Sequence, residues 1–123
     1  MNEKLDNNKR IFFEEFDDQK NNHVVKKEDI INQLKEVFDP EIPVNIYDLG
    51  LIYEIKITDE KKVVILMTLT SPNCPVAESL PQEVSQKIKK LSSMTSLAVY
   101  LTFDPPWDQD MMSEDAKLAL DIL

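Results

Sequence analysis

Cys74 is the only cysteine in the 123-residue chain. It stands in the run Ser71-Pro72-Asn73-Cys74-Pro75. Proline suits the first position of a helix, so Pro75 makes Cys74 a candidate N-cap. There the sulfur would face unpaired backbone N–H groups and the positive end of the helix dipole. Both favour a thiolate over a thiol. A thiolate binds metal or attacks an electrophile. The competing reading of a lone cysteine is a small buried hydrophobe. One cysteine cannot make a redox pair, a four-thiolate metal site or a disulfide framework within one chain. The only histidine, His23, lies in a polar N-terminal stretch and reads as solvated, which leaves no Cys–His nucleophile pair. With Gly50 as the only glycine there is no glycine-rich phosphate loop.

Oxygen ligands gather nearby in the chain. Asp39, Glu41 and Asp48 precede the first predicted strand of the hairpin, and Thr70 and Ser71 follow the second. Those two positions lie at the same end of an antiparallel pair. The five can therefore share a rim with Cys74, assisting a metal or handling a proton. Taken singly, Asp39 reads better as a turn cap or brace and Glu41 as a solvated side chain. Trp107, the only tryptophan, either covers the core, lines the same rim or anchors an interface. Met111-Met112 reads as packing or surface, since a soft-metal site would want more soft ligands.

The elements that must position these residues follow from periodicity. Ile30, Ile31, Leu34, Val37 and Phe38 predict a helix over 27–38, with Glu28 and Asp29 in its first turn. Pro40 should end it at Asp39. Asp39-Pro40-Glu41-Ile42-Pro43 predicts a stiff extended loop, and Gly50 a turn needing positive φ or a close backbone approach. Alternation over Leu51–Thr58 predicts a half-buried strand, and 63–70 a second strand covered on both faces. Val76, Leu80, Val84, Ile88 and Leu91 stripe a helix, in which Pro81 should cause a kink or set the start at Ser79. A third strand runs over 97–103, and Ser113 caps a last helix through Leu123. The order is α-β-β-α-β-α, an α+β domain with a small mixed three-stranded sheet packed by helices. Residues 1–25 are expected as a polar, flexible extension, with 26–123 as the domain. Phe12 and Phe16, four apart, would share one face of a short helix, either as part of a frayed tail or as a docking segment.

Composition bounds the partners. Hydrophobic residues make up 42% and charged residues 30%, which suits a soluble domain with one core. Net charge is −9, with 23 acidic against 14 basic residues. Such a surface repels nucleic acid and anionic membranes. Without an export pattern, the expected location is cytoplasmic.

Three segments together carry a resemblance: Asp39-Pro40-Glu41-Ile42-Pro43 through Asp48-Leu49-Gly50-Leu51, then Met67–Pro75, then Thr102-Phe103-Asp104-Pro105-Pro106-Trp107. They occur in order over residues 26–123. The chain resembles the SufT/PaaD-like family of metal–sulfur cluster assembly factors. The resemblance implies an iron–sulfur assembly domain fold and a non-catalytic, auxiliary role in iron–sulfur protein maturation. It marks Cys74 as the outstanding functional residue, Asp39 and Glu41 as the acidic pair, and Thr70 as the threonine before the cysteine loop. Ser71 replaces the threonine of many relatives, and Lys26 replaces a helix-capping threonine, so the first helix is expected to fray at its start. The expected action is transient ligation of iron or an iron–sulfur cluster by Cys74, with no tightly bound cofactor. One thiolate cannot hold a cluster alone, so a homodimer, a carrier protein or a small thiol must supply the rest. Expected partners are iron–sulfur scaffold or carrier proteins and client apoproteins. The alternative is an adaptor that bridges carriers and clients without ligating metal. A thiol-dependent enzyme would need Asp39 or Glu41 as its base.

Overall fold

A computed structural model of the chain describes residues 9–16, 25–39, 42–70, 79–91 and 93–120. Its elements are β1 (Lys9–Glu15), α1 (Lys27–Leu34), β2 (Ile52–Ile57), β3 (Lys62–Met67), α2 (Ser79–Lys89), β4 (Ser96–Leu101) and α3 (Glu114–Ala119). A single 3₁₀ turn, Gln109–Met111, precedes α3.

The α+β mixed sheet is present, but it has four strands rather than three, in the order β1-β4-β3-β2. The added strand comes from the stretch expected to be a flexible extension with a short helix. β1 runs antiparallel to β4, from Lys9 opposite Leu101 to Glu15 opposite Ser96. A bulge between Arg10 and Phe12 turns Ile11 and Phe12 both towards the core. The hairpin forms as expected, with β2 antiparallel to β3. β3 then pairs in parallel with β4, which places the connection through α2 as a crossover.

The helices cover one face. α1 packs on α2 and β2, and α2 on β1 and β4. Val63, Ile65 and Met67 of β3 and Leu97 and Val99 of β4 are fully enclosed beneath them. Leu80, Val84 and Ile88 close the core from α2, as the stripe predicts, and Leu91 packs at its edge. Pro81 is buried in the first turn of α2, where its missing N–H costs nothing. Val76 and Pro75 lie outside the described residues.

α1 is one turn shorter than the periodicity suggests. Val37 is still buried, but its N–H reaches back to the Leu34 carbonyl at 3.1 Å in a tighter turn. Phe38 then bridges to Asn45 as an isolated β-pair, and its ring is 53% exposed. Lys26 precedes α1 without a side-chain cap.

Ser113 caps α3 as predicted, accepting from the Ala116 N–H at 3.1 Å, with Glu114 and Asp115 in the first turn. Residues 121–123, the expected end of that helix, lie outside the described residues. Ser113→Ala should cost about 1 kcal/mol in urea unfolding. The accompanying loss of hydrogen-exchange protection should fall on Ala116. An unchanged midpoint would mean that α3 is held by Met112 and Ala116 packing alone.

Candidate functional site

The three sequence segments converge at one end of the sheet, where β3 and β4 finish and β2 begins. The turn before β2 organises itself first. Asn45 Oδ1 accepts the Asp48 N–H at 2.9 Å, while Asn45 Nδ2 donates to Asp48 Oδ2 at 2.8 Å. Leu49 N–H bonds to the Asn45 carbonyl at 3.0 Å, and Gly50 N–H to that of Tyr47 at 3.1 Å. Gly50 closes the turn at φ +84°. It also admits the carbonyl of Met111, whose carbon would lie 2.8 Å from a Cβ at this position. Both reasons offered for a lone glycine therefore hold together.

Backbone bonds then bring the other segments in. Thr68 N–H donates to Leu51 O at 2.8 Å, and Thr102 N–H to Met67 O at 2.9 Å. Ser113 N–H donates to Asp48 O at 2.8 Å. Trp107 Nε1–H donates to Leu49 O at 2.6 Å, and its half-buried ring packs against the core. The indole therefore clamps the loop after β4 onto the turn before β2. The Met111-Met112 pair packs as expected, with Met112 buried in the core.

Tyr53 is an organiser that strand periodicity does not reveal. Its hydroxyl donates to Pro105 O at 2.8 Å and lies 3.5 Å from Met111 Sδ. Burial pushes its pKa up, the Thr68 hydroxyl pulls it down, and the Asp108 carboxylate raises it again. The phenol therefore stays protonated at neutral pH and keeps its donor role. A bulge between Ile52 and Glu54 re-aims this residue. Asn45 could have been found from its spacing three residues before Asp48, since such side chains bond local backbone. Thr102 Oγ1 braces the next turn, accepting from Asp104 N–H at 3.2 Å.

Of the predicted rim, Asp39, Asp48 and Thr70 are described. Asp39 is 5% exposed and engaged within the chain. Asp48 has its carboxylate tied to Asn45 and lines a shallow groove with Phe38, Pro43, Val44, Asp115 and Ala116. Thr70 is half-buried just beyond the end of β3. Glu41, Ser71 and Cys74 lie outside the described residues, as does His23. The structure thus gathers the Asp48 turn, Thr68–Thr70 and the Thr102–Trp107 loop at the sheet end from which residues 71–78 continue. Among the described residues, no three of the histidine, aspartate and glutamate side chains form a metal-holding group.

The model of a family described as "Iron-sulfur cluster assembly protein" matches residues 27–101. This chain belongs to the iron–sulfur cluster assembly protein family. A member from Porphyromonas gingivalis, named Fe-S protein maturation auxiliary factor, is 45% identical over 103 residues, covering 84% of this chain and 98% of its own. The Bacillus subtilis member YitW, named likewise, is 40% identical over 78% of this chain and 94% of its own. A crystal structure of a domain of unknown function from Bacillus anthracis superposes with a TM-score of 0.69. It has 32% identity and covers 79% of this chain and 92% of that one. The family match includes the Asp48 turn, the end of β3 and residues 71–78. Among the described residues, no helix is long and apolar enough to cross a membrane.

Proposed function

We propose that this chain is an auxiliary factor in iron–sulfur protein maturation, acting in the cytoplasm between cluster carriers or scaffolds and client apoproteins. Cys74 transiently ligates iron or a cluster, which is cargo rather than a resident cofactor. The observation that carries the reading is the convergence of three hydrogen-bonded motif segments on the sheet end that leads into the only cysteine. The names of the two relatives set the class of cargo.

The physical argument runs through rigidity. A transfer site must hold its ligand firmly enough to accept metal and loosely enough to release it. Trp107, Gly50 and Tyr53 fix the ends of the loops that flank residues 71–78. A single thiolate supplies one ligand, so the remainder must come from the donor, the acceptor or another thiol. Incomplete coordination makes release easy. Such a protein transfers cargo and turns over no substrate.

Anaerobic reconstitution with iron and sulfide tests this, with visible absorbance and native mass as readouts. Wild type should take up iron and sulfide, and Cys74→Ser should lose nearly all of it. If wild type and variant behave alike, Cys74 does not ligate. The adaptor reading would then take over, and one observation already favours a surface for it. Phe38 stands 53% exposed beside the groove lined by Asp48 and Asp115, as an apolar anchor with an acidic border would.

A further inference from the structure

The methionines among the described residues differ in their access to solvent. Met67, Met94 and Met112 are 0%, 2% and 6% exposed, enclosed in the core. Met111 is only half-buried. Its backbone is held on both sides. Its N–H bonds to Asp108 O at 3.1 Å, its carbonyl closes on Gly50, and Ser113 N–H, two residues on, bonds to Asp48 O at 2.8 Å. The side chain therefore leaves from a fixed point at the site end of the sheet.

The sulfur has a polar neighbour. The Tyr53 hydroxyl donates to Pro105 O at 2.8 Å and lies 3.5 Å from Met111 Sδ. One phenol proton thus stands between two acceptors of unequal strength. A carbonyl oxygen accepts well and a thioether sulfur weakly, so Pro105 holds the bond. Pro105 lies in the loop that Trp107 clamps to Leu49 O and that Thr102 Oγ1 braces at Asp104. The Tyr53 bond is a further tie on that loop. Its strength depends on how poor an acceptor Met111 is.

We propose that Met111 is a reversible oxidation site for hydrogen peroxide, and that its sulfoxide takes the Tyr53 proton from Pro105. The thioether sulfur attacks one peroxide oxygen with a lone pair. The S–O bond forms as the O–O bond breaks. The proton on the transferred oxygen passes to the departing hydroxide, which leaves as water. Sulfur loses two electrons and the peroxide gains them. The sulfoxide is polar where the thioether was apolar. Its oxygen carries concentrated negative charge and outcompetes a peptide carbonyl for the phenol. Pro105 O then loses its donor, and the loop before Trp107 loosens. Reduction by the two epimer-specific sulfoxide reductases restores the thioether and the original bond. Oxidation at Met67, Met94 or Met112 would instead force a polar group into the core, which is damage rather than a switch.

The inference goes beyond the maturation reading and does not depend on it, because no step and no readout involves metal. Where both hold, peroxide acts on the loops that flank residues 71–78.

The metal-free full chain treated with hydrogen peroxide tests this, with peptide fragment masses that separate Met111 from Met112. Met111 should gain one oxygen about tenfold faster than Met67, Met94 or Met112, which must wait for local opening. Trp107, the only tryptophan, reports on the loop. Its emission should shift with the same half-time and return when the reductases remove the oxygen. Met111→Leu is close in volume and should show no shift under the same treatment, which separates Met111 from Met1 and from oxidation of the indole. Tyr53→Phe has no bond to Pro105 left to lose, so its emission shift on oxidation should be smaller by at least about threefold. Equal oxidation rates at the four methionines overturn the proposal. So does wild-type emission that stays constant with Met111 fully oxidised, a readout that needs no variant to fold. A full-sized shift in Met111→Leu or in Tyr53→Phe overturns it as well.

Discussion

Gly50→Ala should unfold this domain more readily than any other single-methyl addition described here, by at least about 3 kcal/mol. Two costs combine. The backbone at φ +84° disfavours any L-residue with a Cβ, by roughly 1–2 kcal/mol. The added methyl must also displace the Met111 backbone, whose carbonyl closes on this position. That backbone cannot move freely. Met111 N–H bonds to Asp108 O at 3.1 Å, Met112 is buried in the core, and Ser113 N–H holds Asp48 O. Relief at Gly50 therefore strains the cap of α3 and the Trp107 clamp together. For a domain of this size the melting temperature should fall by roughly 10 °C or more. Thermal and urea unfolding check this directly. A loss below about 1 kcal/mol would show that the segment after Trp107 yields cheaply. It would also mean that the site end is softer than its hydrogen bonds suggest.

The same coupling explains how the fold serves the site. Each of the three motif segments begins or ends on a strand, and each is tied to another segment by a backbone or indole hydrogen bond. The sheet supplies a rigid edge, and the hydrogen bonds hold the loops against it. Gly50 and Trp107 belong to this frame and are not ligands. Their place within the motif segments is explained by what they hold in position.

Much of this was legible from residue spacing. The β2–β3 hairpin, the β4 strand, the α2 stripe and the Ser113 cap all follow from periodicity and capping chemistry, which act locally. Gly50 was legible because a solitary glycine in an otherwise glycine-free chain needs a reason. Asp48 was legible as a member of the site turn, but not its tie to Asn45, because a carboxylate and a neighbouring amide leave no trace in hydrophobic periodicity. The extra turn assigned to α1 came from Val37, which is buried as helix spacing requires although the chain has already left the helix. Tyr53 escaped because a bulge, not alternation, sets its direction. β1 escaped for a sharper reason. Phe12 and Phe16 are four apart, and four is both close to one helical turn and an even number of strand steps. Either structure puts both rings on one face. The bulge after Arg10 removes the alternation that would have separated the two.

Deleting residues 1–16 tests that point with an effect as large as the Gly50 change. If the stretch were a dispensable tail, the remaining chain would keep its stability. The structure instead has Ile11, Phe12 and Phe16 packed against the core. Glu14 also reaches Lys89 of α2 at 2.8 Å, and Lys89 lies over the Phe12 ring. Half-burial of three large apolar side chains amounts to about 3–4 kcal/mol. The exposed ion pair adds little. Removal also turns β4 into an edge strand whose Leu97, Ala98 and Val99 would carry unpaired backbone groups beside apolar side chains, a template for aggregation. Set against a total stability of about 5–15 kcal/mol, such a loss leaves the truncated chain marginal. The expected result is a lower urea midpoint with concentration-dependent precipitation. Hydrogen exchange should show the loss spreading from β4 into α2, because β1 contacts both. Full retention of stability would mean that β1 docks without being needed, and the sheet would then work with three strands.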